Sequence, residues 1–135
     1  MHGVKKEARS EARVAEDARR IAEYRAALER AEAARRQLQA AADAEGRAAA
    51  AAAALAASEG ALLLNPSHYT MWNARKEALA ALGRRAEELP GELRLTARCL
   101  QLNPKAYCVW EHRRWSVEPH LSPQLAAQEM ALCDR

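Results

Sequence analysis

Aromatic residues are scarce in this chain, whose 135 residues include three tryptophans, three tyrosines and no phenylalanine. The composition is 50% hydrophobic, but much of that half is alanine, which buries little area per residue. A thick compact core is therefore not expected. The composition instead favours helices that lean on neighbouring helices or on a partner chain.

Cysteine is also rare. Cys99, Cys108 and Cys133 form no CxxC pair, which excludes a disulfide framework and a paired-cysteine zinc site. The four histidines show no metal-ligand spacing; they are His2, His68, His112 and His120. Gly-rich phosphate loops, GxSxG and HExxH are missing. We therefore expect reduced thiols, a cytoplasmic location, no metal site, and no catalysis by this chain alone.

Targeting and membrane signals are absent as well. The charged residues 1–10 are not followed by an apolar stretch, so no secretory signal is expected. The longest apolar run, Ala48 to Ala57, is too short to span a bilayer. His2 follows Met1 and no CaaX box appears, so no lipid anchor is expected. The net charge of +3 is spread among acids, and a nucleic-acid partner is not expected.

Long helices are strongly indicated. Lys5 to about Ala42 holds no Pro or Gly and is rich in good helix formers. We expect Gly46 to break this helix, and a second, alanine-rich helix to run to about Leu64 as filler, weakened at Gly60. Disorder of the alanine tract is the alternative. On this basis residues 1–45 form an N-terminal helical extension, and residues 46–135 form the rest of the fold.

The first helix carries a narrow apolar stripe, which Arg35 interrupts at the next heptad position. The stripe consists of Val14, Ile21, Tyr24, Leu28 and Leu38. A helix packed along one seam is favoured over a sustained coiled coil.

An internal repeat is the best signal in the chain. Eight positions recur after 38 residues, in motifs at 62–79 and 100–117. Leu62, Leu64, Asn65, Pro66, Tyr69, Trp72, Arg75 and Lys76 return as Leu100, Leu102, Asn103, Pro104, Tyr107, Trp110, Arg113 and Arg114. This pattern predicts an all-α array of helical hairpins, an α-α superhelix preceded by the long N-terminal helix.

Each copy carries its own signals for the ends of helices. Asparagine before proline predicts an N-cap, so we expect Asn65 and Asn103 each to start a helix. We expect Pro90 and Gly91 to mark the connection between the two units. Ser122 and Pro123 repeat the cap signal, which predicts that a third unit begins at 122–135. There, Ala131 to Cys133 is aligned with Ala97 to Cys99.

Packing between repeats is the favoured role for the motif residues. Large aromatics at fixed repeat positions bury area and send one polar atom to a partner. This role is expected for Asn65, Pro66, Tyr69, Trp72, Arg75, Asn103, Pro104, Trp110, Arg113 and Arg114. The arginines are expected to pair within the stack. The alternative is a cationic row that receives an anionic ligand.

The units "NPSHYTMWNARKEAL" and "NPKAYCVWEHRRW" resemble the tandem repeats of protein prenyltransferase α subunits. The opening "MHGVKKEAR" and "IAEYRAAL" resemble, more narrowly, the Rab geranylgeranyltransferase (type II) branch. The resemblance implies a scaffold subunit that wraps a β subunit in a heterodimer. The β subunit holds the Zn²⁺ and the prenyl diphosphate, so no cofactor is held by this chain.

The substrate complex implied by the resemblance is a Rab GTPase with its escort protein, and the reaction transfers geranylgeranyl to carboxy-terminal cysteines. The "PK.Y" segment of the family faces the active site, which points to Lys105 and Tyr107 as assisting residues. Ser67 stands at the matching upstream position. The resemblance also suggests that His2 reaches the partner's zinc in a resting state. Because family members carry more repeats, a partial chain is expected.

Two other interpretations compete with this one. A tetratricopeptide-like adaptor also consists of helical hairpins, but its period is about 34 residues, and the period here is 38. A basic coiled-coil or nucleic-acid-associated helix on residues 5–42 leaves the repeat unexplained.

Overall fold

A computed structural model describes residues 2–134, with side chains described from Ser10 onward. Within that range the chain forms six α-helices and no strand. They are α1 (His2–Ala40), α2 (Ala44–Leu64), α3 (Tyr69–Leu82), α4 (Arg85–Leu102), α5 (Tyr107–Val117) and α6 (Pro123–Cys133), with a short 3₁₀ helix at Glu118–His120. Helices α2 with α3 and α4 with α5 pair as hairpins. The predicted all-α fold of helical hairpins is confirmed.

The alanine tract forms a tight helix contact and is not filler. In α1, the buried residues Ala27, Ala31 and Ala34 lie along one face. The opposing α2 buries small residues at Ala50, Ala51, Ala54, Ser58 and Ala61. Small side chains let two helix backbones approach closely, so alanine here serves packing. The predicted helix is confirmed in place of the disordered alternative, and its alanines form part of the core.

By length and composition alone, α2 is the one helix of residues 2–134 that is long and apolar enough to cross a membrane. It extends well beyond the apolar run from which no span was expected. In the fold α2 packs against α1 and α3. Its buried alanines lie in the core that these helices share. This is the packing expected of a core helix in a helical array.

The break between α1 and α2 precedes the predicted position. Asp43 is the N-cap of α2, and its carboxylate accepts from the backbone N–H of Gly46 at 2.6 Å. Gly46 therefore lies in the first turn of α2. A side chain there would meet the Asp43 Oδ1 atom at 2.8 Å, so glycine allows the cap to form rather than ending the helix.

The connection between the hairpins also differs from the prediction. Pro90 and Gly91 lie inside α4, and the chain turns at Gly83 instead. Gly83 adopts φ 64°, the left-handed conformation that glycine reaches without a Cβ penalty. Pro90 lacks an N–H, but near the start of α4 this removes a single helical hydrogen bond. The turn therefore depends on backbone conformation at Gly83.

Helix α6 begins where the sequence predicted a cap followed by proline. The hydroxyl of Ser122 accepts from the backbone N–H of Leu125 at 3.1 Å, and Pro123 is the first residue of α6. This is the expected N-cap followed by proline.

Candidate functional site

The two Asn-Pro turns end helices rather than start them. Asn65 is the C-cap of α2 and Asn103 the C-cap of α4. Each asparagine side chain accepts a backbone N–H two residues on, from Ser67 and from Lys105, both at 3.2 Å. The next helices begin four residues after each asparagine. The predicted N-cap role was wrong because the side-chain bond closes an Asx turn.

These turns lie side by side along one edge of the array, which we call the turn edge. The Asn103 side chain donates to the hydroxyl of Ser67 at 3.3 Å. The Asn65 side chain donates to the hydroxyl of Tyr24 on α1 at 2.9 Å. Two asparagines at equivalent positions thus connect each turn to the element before it. As a result α1, the first turn and the second turn form one continuous edge.

Lys105 and Tyr107 project from the turn edge. Lys105 is exposed, and Tyr107 has 74% of its surface accessible. Within residues 10–134 Lys105 forms no ion pair. Tyr69, the upstream counterpart of Tyr107, is 60% exposed, so the expected packing of Tyr69 between repeats is corrected. The turn edge therefore presents a cationic and two phenolic side chains to solvent.

An apolar groove of about 640 Å³ lies beside the turn edge, where α1 meets the ends of α2 and α4. Its apolar lining includes Ile21, Tyr24, Leu63, Leu64 and Leu102. Of these, Ile21 and the three leucines are exposed. Exposed apolar side chains gathered at one edge are typical of a protein interaction surface.

The repeated tryptophans fix the turns to the helices that follow. The indole of Trp72 donates to the carbonyl of Pro66 at 2.8 Å, and that of Trp110 donates to the carbonyl of Pro104 at 3.2 Å. Trp72 is 2% exposed and lies in the core, whereas Trp110 is half-buried. Each proline turn is therefore tied to its own helix by an aromatic side chain.

The repeated arginines form a clamp that joins consecutive hairpins. Arg75 donates to the Leu55 carbonyl at 2.7 Å and to the Ser58 hydroxyl at 3.0 Å within its own hairpin. It also pairs with the Glu92 carboxylate of the next hairpin, where Nε lies 3.1 Å from Oε2. Both charges are buried. Charge-assisted bidentate pairing satisfies the buried guanidinium.

Arg113 repeats the clamp one unit later. It donates to the Leu93 carbonyl at 2.9 Å and to the Thr96 hydroxyl at 2.7 Å. It also pairs with Glu129 of α6 at 2.7 and 2.8 Å. Since Glu129 follows Glu92 by 37 residues, Cys133 occupies the position of Thr96. The predicted alignment of Cys133 with Cys99 was therefore wrong.

Glu92 also binds a histidine that the sequence did not point to. The Nε2 atom of His112 lies 2.7 Å from Oε2 of Glu92. Burial would raise the pKa of Glu92, but hydrogen bonds from His112 and Arg75 overcome it and lower the pKa to about 2. Burial lowers the pKa of His112 despite the Glu92 carboxylate. A neutral His112 therefore donates from Nε2 to ionised Glu92.

Other cations of the motif are engaged by aromatic or acidic partners. The Arg85 guanidinium stacks 3.7 Å from the ring centroid of Trp115, and the Lys76 ammonium lies 5.6 Å from it. Arg114 is exposed and pairs with Glu118 at 2.9 Å, so its expected packing role is corrected. The cationic row considered for an anionic ligand is thus occupied by internal partners.

No group of three or more metal-ligating side chains comes together in the part of the chain whose side chains are described. The three cysteines are free thiols. The suggestion for His2 lies outside the described side chains.

Sequence reasoning missed Glu92 and His112. Glu92 follows Pro90 and Gly91, which were expected to form the connection between the two units and not part of a helix. Leu55 and Ser58 recur as Leu93 and Thr96 after the same 38 residues. This recurrence is the signal that would have placed the segment around Glu92 in a helix.

Two segments of the chain match a family model described as protein prenyltransferase alpha subunit repeat, namely residues 51–82 and 89–118. Each segment covers most of one hairpin, and the motifs at 62–79 and 100–117 fall inside them. The match does not favour the tetratricopeptide interpretation. Comparison with curated proteins and with solved structures gave no match.

Proposed function

We propose that this chain is the scaffold subunit of a Rab geranylgeranyltransferase. Its two hairpins match the protein prenyltransferase alpha subunit repeat, and this match indicates a prenyltransferase α subunit that pairs with a β subunit. The chain supports transfer of geranylgeranyl from geranylgeranyl diphosphate to carboxy-terminal cysteines of Rab GTPases. The narrower assignment is supported by the likeness of "MHGVKKEAR" to that branch. In this proposal the enzyme acts in the cytoplasm and the β subunit holds the Zn²⁺.

The observation that carries the proposal is the turn edge. It presents an exposed cation, Lys105, and the exposed Tyr107 two residues later. The turn that carries Lys105 is hydrogen-bonded to the preceding Asn-Pro turn through Asn103 and Ser67. A cation held near a leaving diphosphate stabilises the charge that develops there. We assign Lys105 this assisting role, with Tyr107 beside it.

The experiment that tests the proposal is a transfer assay with two acceptors. The chain is co-expressed with a Rab geranylgeranyltransferase β subunit, and geranylgeranyl transfer is measured to a Rab bound to its escort protein and to a peptide that ends in a CaaX box. We expect transfer to the Rab alone. Transfer to the CaaX peptide alone would contradict the Rab assignment and keep the α-subunit role, and no transfer to either acceptor would contradict the proposed activity.

A further inference from the structure

We infer that Asn103 is a positioning residue for Lys105, and that Ser67 of the first turn holds Asn103 in place. The inference rests on the proposed function, because it concerns how the assisting cation is held. The side-chain amide of Asn103 uses both of its ends. Its Oδ1 atom accepts from the backbone N–H of Lys105 at 3.2 Å, and its Nδ2 atom donates to the hydroxyl of Ser67 at 3.3 Å. One side chain thus links the backbone that carries the cation to the preceding repeat.

Hydrogen bonds on both sides hold the backbone around Lys105. The carbonyl of Asn103 accepts from the N–H of Ala106 at 3.1 Å, which closes the turn that contains Lys105. The carbonyl of Pro104, just before Lys105, accepts from the indole of Trp110 at 3.2 Å. Ala106, just after it, is 3% exposed. Because lysine carries its charge on a flexible four-carbon stem, the region that its ammonium group can reach depends on where this backbone is held.

The matching position of the first turn has a different task. Ser67 stands where Lys105 stands in the second turn, and its own N–H is held by Asn65 at the same distance of 3.2 Å. The hydroxyl of Ser67 accepts the Asn103 amide. A lysine at position 67 could not replace it, since an ammonium group donates hydrogen bonds and accepts none. The two copies therefore divide the work, with serine supporting the second turn and lysine projecting from it.

The test is a double-mutant cycle in the complete heterodimer with the β subunit, measured as the single-turnover rate of geranylgeranyl transfer to escort-bound Rab. Asn103→Ala removes the acceptor of the Lys105 N–H. We expect it to lower this rate about tenfold, because a small displacement of an assisting group is costly. The Rab concentration at half-saturation should stay within about twofold of the parent value. In the Lys105→Ala background the same change should lower the rate by less than about twofold, since the cation that Asn103 positions is gone.

Three further variants separate positioning from a general loss of stability. Asn103→Ser keeps a weaker form of the same turn, so its rate should return to within about threefold of the parent. Ser67→Ala removes the acceptor of the Asn103 amide, and we expect a rate about twofold to threefold lower. Ser122→Ala is the matched control, because it also removes a side-chain bond to a backbone N–H, at the start of α6; the rate should stay within about twofold.

The outcomes separate this inference from the function on which it rests. If Asn103→Ala and Lys105→Ala act additively, or if Asn103→Ala transfers at the parent rate, the inference is overturned and the proposed function stands. A parent rate in Ser67→Ala would overturn the supporting role of Ser67. An unmodified heterodimer that transfers no geranylgeranyl would contradict the proposed function, and this inference with it.

Discussion

The buried guanidinium of Arg75 and the buried carboxylate of Glu92 join two consecutive hairpins through a bidentate ion pair. The same contact recurs between Arg113 and Glu129. Because each arginine also bonds a carbonyl and a hydroxyl of its own hairpin, the clamp fixes the angle between neighbouring units. Such buried pairs need all their partners in place, since removing one leaves an uncompensated charge.

Replacing Glu92 with glutamine should therefore destabilise the chain strongly. The change leaves Arg75 without its counter-ion, and we expect the free energy of unfolding in urea to fall by about 3 kcal/mol. Glu87→Gln is the matched control, because Glu87 is exposed on the same helix; it should change stability by less than about 0.5 kcal/mol. Equal effects of the two changes would show that the clamp does not hold the hairpins together.

Acid should weaken the same cluster. The pKa of Glu92 is lowered to about 2 in the folded chain, so unfolding raises it and the unfolded chain binds more protons. The stabilisation is complete above the unfolded pKa of about 4.3 and is lost as pH falls towards 2, up to about 3 kcal/mol. The lowered pKa of His112 acts in the same direction, beginning near its unfolded pKa of about 6.5. Urea unfolding between pH 7 and 3 measures this loss.

The Glu92→Gln variant supplies the control for this pH dependence. Without the carboxylate, its unfolding free energy should fall less steeply than that of the parent chain below about pH 4.3. Parallel curves for the two proteins would show that Glu92 does not carry the acid sensitivity.

Two glycines should respond to alanine with opposite signs. Gly83 has φ 64°, and alanine there should cost about 1 kcal/mol because a Cβ disfavours the left-handed conformation. Gly60 lies within α2, where an added Cβ meets nothing within 4 Å. Gly60→Ala should stabilise the chain by up to about 1 kcal/mol. Thermal melts of both variants measure these two changes in stability. A stabilising effect of Gly83→Ala would contradict the left-handed turn at Gly83.

Removing the cation of the turn edge should slow catalysis rather than assembly. In the complete heterodimer, we expect Lys105→Ala to lower the single-turnover rate of geranylgeranyl transfer about tenfold to a hundredfold. The affinity for the β subunit should change far less, because one exposed side chain adds little to a large interface. Arg98→Ala, an exposed change on α4, is the matched control. An unchanged single-turnover rate would contradict the role of Lys105.

Much of this fold follows from the sequence by simple physics. The 38-residue displacement of Trp72 to Trp110 predicted the hairpins, and Ser122 with Pro123 predicted the start of α6. The turns were harder to predict. Asn65 satisfies both an N-cap pattern and an Asx turn, and only the course of the chain after Pro66 separates them. Gly83 was passed over because its left-handed conformation has no signature beyond glycine itself.

The site was predictable only in part. Arg75 and Arg113 were expected to pair within the stack, and they do so. Their partners Glu92 and Glu129 lie 37 residues apart, one residue out of register with the arginines, so the search at one displacement missed them. His112 has no counterpart in the first copy, where Ala74 occupies its position. A contact made once, between two repeats, leaves no periodic trace.

The scaffold role is tested most directly by the mass of the species formed when this chain is co-expressed with a Rab geranylgeranyltransferase β subunit. Size-exclusion chromatography with light scattering reports that mass. The scaffold role predicts a stable 1:1 complex in which the turn edge becomes protected from hydrogen exchange at residues 63–69 and 102–107. Separate elution of the two chains would contradict it.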